Sequence, residues 1–213
     1  MTRDASYGET RRPSWVDRFG VWLSAARIRA CVGDAKGKRL ADIGCGYHAA
    51  IARGFIDAAD HVVLVDLALA PDLKDHPKVT AVEGRLPDAL DGLPDGSLDI
   101  VICNSVLEHL WQPLDALEAF HRLLAPDGQC LVNVPSWRGK WFLEFAAFRL
   151  GVSPAEEMDD HKAYYDPREL WPLLVRAGFR PRNIACHRHK FGLNTFAQCR
   201  RGADDDVPGD APG

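Results

Sequence analysis

The sequence has no run of eighteen apolar residues, so no segment is predicted to span a membrane as a helix. Its opening residues, Met1-Thr2-Arg3-Asp4-Ala5-Ser6, lack the apolar core of a signal peptide. The six cysteines, at positions 31, 45, 103, 130, 186 and 199, form no C-x-x-C pair and no regular framework. Several sit inside apolar runs, where cysteine behaves as a small hydrophobe. This usage argues against a disulfide scaffold and for a reducing compartment, so a cytoplasmic location is expected. Positive charge is not in excess: 26 Lys and Arg stand against 30 Asp and Glu, for a formal net charge of -4. Without a basic field, nucleic acid is not an expected partner. No metal is expected either. His187 and His189 lie two apart on a strand-like run and share a face, but spacing supplies no third ligand. No internal repeat is present.

What is there has the makings of one globular domain with extensions: 213 residues, 46% hydrophobic and 26% charged. The chain is organised around Lys38-Arg39-Leu40-Ala41-Asp42-Ile43-Gly44-Cys45-Gly46-Tyr47, a short apolar strand entering a glycine-punctuated turn. Twenty residues past Gly46, the run His61-Val62-Val63-Leu64-Val65 ends on Asp66. Strand, glycine turn, helix-length segment and second strand closing on a carboxylate describe half of a nucleotide-binding α/β unit. Glycine lets a ligand approach bare backbone, and the second carboxylate is placed to accept from ribose hydroxyls.

The rest of the chain extends this rhythm. A polar, loose stretch over 1–13 leads into an amphipathic helix over 15–32, an N-terminal extension (1–32) carrying Trp15, Phe19, Trp22, Leu23, Ala26 and Ala30 at helical spacing. A helix is predicted over 49–58, and an irregular stretch over 67–77. Strands are predicted over 78–83, 98–103 and 130–134. Between the last two, Pro113 opens a helix whose buried face is Leu114, Leu117, Phe120 and Leu124, and Pro126-Asp127-Gly128 stops it. Alternating strands and helices predict a parallel sheet with right-handed crossovers. An aromatic-rich insertion at about 136–165 interrupts the pattern. Asp166, Pro167 and Glu169 then form a capping box for a helix ended by Gly178. Two closely joined strands, about 183–189 and 194–200, are expected to pair antiparallel. The tail over 202–213, with three consecutive aspartates, three glycines and two prolines, is expected to be disordered.

The run Leu93-Pro94-Asp95-Gly96-Ser97-Leu98-Asp99-Ile100-Val101-Ile102-Cys103-Asn104, followed by Leu107-Glu108-His109-Leu110, resembles the fourth-strand motif of class I S-adenosylmethionine-dependent methyltransferases. Asp42-Ile43-Gly44-Cys45-Gly46 is similar to the first motif of that family, in its type 11-like branch. Phe120-His121-Arg122-Leu123-Leu124-Ala125-Pro126-Asp127-Gly128 resembles the helix-turn before its fifth strand. The resemblance covers about 38–135. It implies a Rossmann-like α/β fold over 33–201: a mostly parallel seven-stranded sheet with an antiparallel last strand and helices on both faces. Two shorter runs, Asp160-His161-Lys162-Ala163-Tyr164-Tyr165 and Phe191-Gly192-Leu193-Asn194-Thr195-Phe196, are more weakly similar to methyltransferases that accompany bacterial surface-polysaccharide assembly.

The resemblance implies S-adenosylmethionine as cofactor, with Asp42 and the Gly44, Cys45 and Gly46 backbone at its amino-acid end and Asp66 on the ribose. Glu83-Gly84-Arg85-Leu86 takes the adenine position, where Arg85 replaces the family's usual aspartate, leaving backbone at Arg85 and Leu86 to serve. Asn104 is a further cofactor contact. Methyl transfer from an activated sulfonium asks mainly for in-line positioning, plus a base where the nucleophile is a hydroxyl. His109 is the candidate base, since histidine as a residue type ordinarily titrates at ~6.5, and His161 is a second catalytic candidate. Glu108, Trp137, Tyr164 and Tyr165 are candidate acceptor contacts. The expected acceptor is a small molecule or glycan, methylated on oxygen. The aromatic insertion reads as a substrate lid, a peripheral membrane contact, or a helix buried within the domain or against a partner, in a monomer or homodimer. Two other functions stay open: a non-catalytic binder of S-adenosylmethionine or S-adenosylhomocysteine, and an NAD-dependent oxidoreductase. Ala49 stands where a dinucleotide fingerprint wants a third glycine.

Overall fold

The computed structural model describes residues 5–9, 15–140 and 162–203. Most of the aromatic insertion, His161 with it, and most of the tail lie outside the described residues.

Each strand alternates its side chains between two faces, and each face has its own core. Leu40 of β1 (Arg39–Ile43), Val62 and Leu64 of β2 (His61–Asp66), and Ile100 and Ile102 of β4 (Leu98–Asn104) point one way. They meet Ile28 and Val32 of helix α1 (Trp15–Val32) and the buried Phe55 and Ile56. Ala41, Ile43, Val63, Val65, Val101 and Cys103 point the other way. They pack with Leu117 and Phe120 of α3 (Pro113–Leu123) and Leu170 and Leu174 of α4 (Pro167–Arg176). A short helix α2 (Pro71–Lys74) precedes β3 (Val79–Glu83). The sheet closes with β5 (Leu124–Pro135), β6 (Ile184–His189) and β7 (Asn194–Arg200). Its order is β3-β2-β1-β4-β5-β7-β6; β7 runs antiparallel to both β5 and β6, and the other pairings are parallel. This is the Rossmann-like methyltransferase arrangement, with helices on both faces.

Strand order reverses between β1 and β4. In open α/β sheets such a switch point leaves a crevice beyond the carboxyl ends of the strands, where ligands bind.

The local signals at helix ends are realised. Gly33, at φ +64°, ends α1 by returning its N–H to the Arg29 carbonyl at 2.9 Å. Asp166 and Glu169 close the capping box of α4. Three expectations change. The stripe expected on α1 is not its buried face: Phe19, Trp22, Ala26 and Ala30 are exposed, and α1 buries Ser24, Ala25, Ile28 and Val32 against the sheet instead. Residues 49–58 do not form an α-helix: they wind through turns with one 3-10 turn at Ala52–Gly54. Ala49 is held at φ +45°, Ile51 and Ile56 are β-branched, and Gly54 costs helix entropy, so burial of Ala49, Ile51, Ala52, Phe55 and Ile56 dictates an irregular path. The helix expected to run up to Pro126-Asp127-Gly128 ends at Leu123 instead; the triplet lies inside β5, which starts at Leu124, so Leu124 is a strand residue and not part of the helix's buried face. The pairing jumps from Leu98↔Leu124 to Ile100↔Gln129, with Asp127 at φ +63°, as a bulge requires.

Candidate functional site

The glycine turn sits at the carboxyl end of β1. Gly44 has φ +73°, and a Cβ built on it would lie 2.2 Å from Val106 Cγ2, so both backbone and space demand glycine. Its N–H bonds the Val65 carbonyl at 2.7 Å, tying the turn to β2. Asp42 is 1% exposed. Its Oδ2 has no hydrogen-bond partner among the described residues. Burial pushes this carboxyl up to about 7; the Ala52 backbone group opposes the rise, and the nearby Asp66 charge adds to it. The Cys45 thiol is also driven up, first by burial and then by Asp42 and Asp66, so it stays protonated and is no nucleophile.

Asp66 ends β2 with its carboxylate well engaged. Oδ2 accepts the Gly46 N–H at 2.7 Å; Oδ1 accepts the Leu67 N–H at 2.8 Å and the Ser6 hydroxyl at 2.5 Å. The expectation of a loose stretch over 1–13 is corrected within 5–9. There, Ser6 bonds Glu9 through its N–H, at 2.9 Å, and lies 5% exposed. A polar stretch orders here because its Ser6 hydroxyl meets acceptors at the end of β2 and its Tyr7 carbonyl accepts the Tyr47 N–H that follows the glycine turn.

After β3, Glu83 is occupied by Lys74 at 2.5 Å and by the Leu69 N–H at 2.7 Å. Lys74 holds its carboxyl below the usual range. The Arg85 side chain is exposed and its carbonyl accepts the Ala89 N–H at 2.8 Å, while Leu86 packs against the core.

The carboxyl end of β4 brings the remaining candidates together. Asn104 Oδ1 accepts from Asn133 Nδ2 at 2.9 Å, and the same amide group donates to Ser24 of α1 at 3.1 Å. Glu108 is 1% exposed, and its carbonyl accepts the Lys162 N–H at 2.6 Å. His109 ends the 3-10 turn Leu107–His109 beside it. Tyr165, its hydroxyl pushed up to about 12 by burial and by Glu108, donates its backbone N–H to Pro135 at 3.0 Å. Tyr164 is buried against Trp137, ring centroids 5.5 Å apart. Lys190, in the β6–β7 turn, is lowered to about 8 by burial, against which the Glu108 carboxylate pulls it up. It reaches toward α1: a Cβ on Gly20 would lie 4.0 Å from its Nζ.

The cofactor candidates Asp42, Gly44, Cys45, Gly46 and Asp66 thus converge at β1 and β2, with Arg85 and Leu86 following β3. Asn104, Glu108, His109, Trp137, Tyr164 and Tyr165 gather at the ends of β4 and β5. A family model described as a methyltransferase domain matches residues 16–184. The chain belongs to the methyltransferase-domain family. Methyltransferases of this kind use S-adenosylmethionine as methyl donor. A Mycolicibacterium smegmatis protein named as a probable S-adenosylmethionine-dependent methyltransferase is 28% identical over 165 residues, covering 74% of this chain and 58% of that one. The chain thus spans just over half of that relative's length. The ubiquinone biosynthesis O-methyltransferase of Psychrobacter arcticus is 27% identical over 177 residues, covering 76% of this chain and 67% of that one. A solved S-adenosylmethionine-dependent methyltransferase from Mesorhizobium loti shares the fold at TM-score 0.60 and 16% identity, covering 83% of this chain and 96% of that one.

Three site-region residues escaped sequence reading. Asn133 was detectable as a lone amide in the apolar run Cys130-Leu131-Val132-Asn133-Val134. Lys190 stands between the two closely joined strands, next to Phe191-Gly192, and carries no motif. Ser6 carried no signal, since nothing in a polar N-terminal stretch names a partner sixty residues away.

Proposed function

We propose that this methyltransferase moves a methyl group from S-adenosylmethionine to a hydroxyl of a small molecule. The observation that carries the cofactor reading is the buried Asp42 carboxylate beside the glycine turn, whose Oδ2 lacks a hydrogen-bond partner among the described residues. A buried carboxylate with a spare acceptor is costly unless a donor meets it, and an α-ammonium is a fitting one. Asp42 and the Gly44–Gly46 backbone would hold the amino-acid end, Asp66 the ribose, and the chain around Arg85 and Leu86 the adenine, with Asn104 a further contact. The sulfonium supplies an already activated methyl group when bound. The chain's share of the work is orientation and proton handling. His109, at the rim of β4, is the proposed proton acceptor, and Glu108, Trp137, Tyr164 and Tyr165 would shape the acceptor's side. Methylation on oxygen is favoured by the relatives named as O-methyltransferases.

A glycan acceptor is a second reading, favoured by the indole of Trp137, 43% exposed at this rim and able to stack on a sugar ring. Calorimetry with S-adenosylhomocysteine tests the cofactor half: the wild type binds and Asp66→Asn loses most of the affinity. Labelled S-adenosylmethionine with hydroxylated aromatics, or with sugar precursors, tests the acceptor half. Label only on protein or nucleic acid would overturn both acceptor readings, and binding of NADH alone would overturn the cofactor.

A further inference from the structure

Residues 5–9 lie directly across the glycine turn. The Tyr7 carbonyl accepts the Tyr47 N–H at 2.9 Å, and a Cβ on Gly46 would come within 3.1 Å of that same carbonyl oxygen. The segment is closed on itself, with the Ser6 N–H on Glu9 Oε2 at 2.9 Å and the Glu9 N–H on the Ser6 carbonyl at 3.1 Å. Its anchor is the Ser6 hydroxyl. That oxygen accepts the Ala68 N–H at 2.6 Å and lies 2.5 Å from Asp66 Oδ1 and 2.8 Å from the Ala68 carbonyl.

A carboxylate offers about four acceptor directions, two on each oxygen. On Asp66 the two at Oδ1 are taken by Leu67 and Ser6, and one at Oδ2 by Gly46. A ribose diol gripped by both oxygens needs one direction on each. Among the described residues nothing else fills Oδ2, which has room; Oδ1 has none while Ser6 holds it. Ser6 carries a single hydroxyl proton and has two acceptors within reach, Asp66 Oδ1 and the Ala68 carbonyl. With the proton turned to Ala68, two unprotonated lone pairs cannot stay 2.5 Å apart, so the Ser6 oxygen must move away from the carboxylate.

We propose that residues 5–9 are a strap that competes with the cofactor's ribose for Asp66, and that cofactor binding shifts Ser6 onto Ala68 and loosens the strap from the glycine turn. This rests on the reading of Asp66 as the ribose-binding group. The strap makes cofactor affinity adjustable from outside the pocket, since anything that holds residues 5–9 down weakens binding.

Hydrogen-exchange mass spectrometry of the full chain, with and without S-adenosylhomocysteine, reads the strap directly. Calorimetry on wild type, Ser6→Ala and Asp66→Asn reads the competition. The expected result is faster exchange over 5–9 when S-adenosylhomocysteine is bound, with Ser6→Ala binding about fivefold tighter, the worth of roughly one net hydrogen bond. Slower exchange over 5–9 on binding, or equal or weaker binding by Ser6→Ala, overturns the proposal and makes the strap a wall of the site. Wild-type binding retained in full by Asp66→Asn overturns it differently: Asp66 is then not the ribose group, while the methyltransferase reading stands. A wild type that binds no S-adenosylhomocysteine overturns the strap and the cofactor reading together. The exchange measurement needs no variant, so a misfolded Ser6→Ala chain does not shield the proposal.

Discussion

The indole N–H of Trp137 donates to the carboxylate of Glu169, 3.0 Å from each oxygen, and that carboxylate also accepts the Asp166 N–H at 2.8 Å. One side chain therefore closes the start of α4 and orients an aromatic ring at the rim of the site. Glu169→Ala removes both partners. It is expected to cost about 1–2 kcal/mol of stability, the usual worth of a lost cap, and to loosen Trp137. Denaturant unfolding measures the first effect and tryptophan fluorescence the second.

Gly44→Ala places a methyl group against Val106 at a backbone angle that L-residues resist. A loss of about 2 kcal/mol or more is expected, with S-adenosylhomocysteine binding abolished. Adding Val106→Ala relieves the clash but not the φ strain, so thermal melting should recover only in part.

Asp42 has a folded pKa raised to about 7 from 3.8. Between those values the folded chain holds more protons than the unfolded one, so the contribution of Asp42 to stability falls as pH rises and is lowest above about 7. Asp42→Asn is expected to flatten that slope and to stabilise the chain at pH 8, by on the order of 4 kcal/mol at full effect. Chemical denaturation at pH 5 and pH 8 checks the sign. In the wild type, S-adenosylhomocysteine affinity is expected to rise as pH passes about 7, because the ionised carboxylate is the form that meets an ammonium.

The Glu108 charge acts on Lys190, a lysine of the β6–β7 turn. Burial depresses the lysine to about 8, and the Glu108 charge keeps it from falling further. Glu108→Gln removes that support, so the Lys190 amine should titrate still lower. Heteronuclear NMR of the lysine side chain checks it; an unchanged or raised value would show that the two charges do not interact.

Asn133 is fully buried and joins Asn104 to Ser24 across β4, β5 and α1. Asn133→Leu leaves both partners without that donor and is expected to cost about 2 kcal/mol, visible as a lowered unfolding midpoint.

The sequence by itself determined the alternation of strands and helices, because period-two burial and helix caps depend on residues only a few positions apart. Leu40 and Ala41, or Ile102 and Cys103, choose opposite faces for that reason alone. The Asp166–Glu169 capping box and the spacing from Gly46 to Asp66 were legible on the same terms. Residues 49–58 were not: their helical spacing gave way to a turn path set by burial against the sheet. Tertiary structure alone decided which polar groups meet. Ser6 and Asp66 are separated by 60 residues, Ser24 and Asn133 by 109, and nothing in the local pattern of either member encodes the other. Their pairing follows from where the sheet order reverses, since that reversal opens the rim on which the ends of β1, β2 and β4 gather.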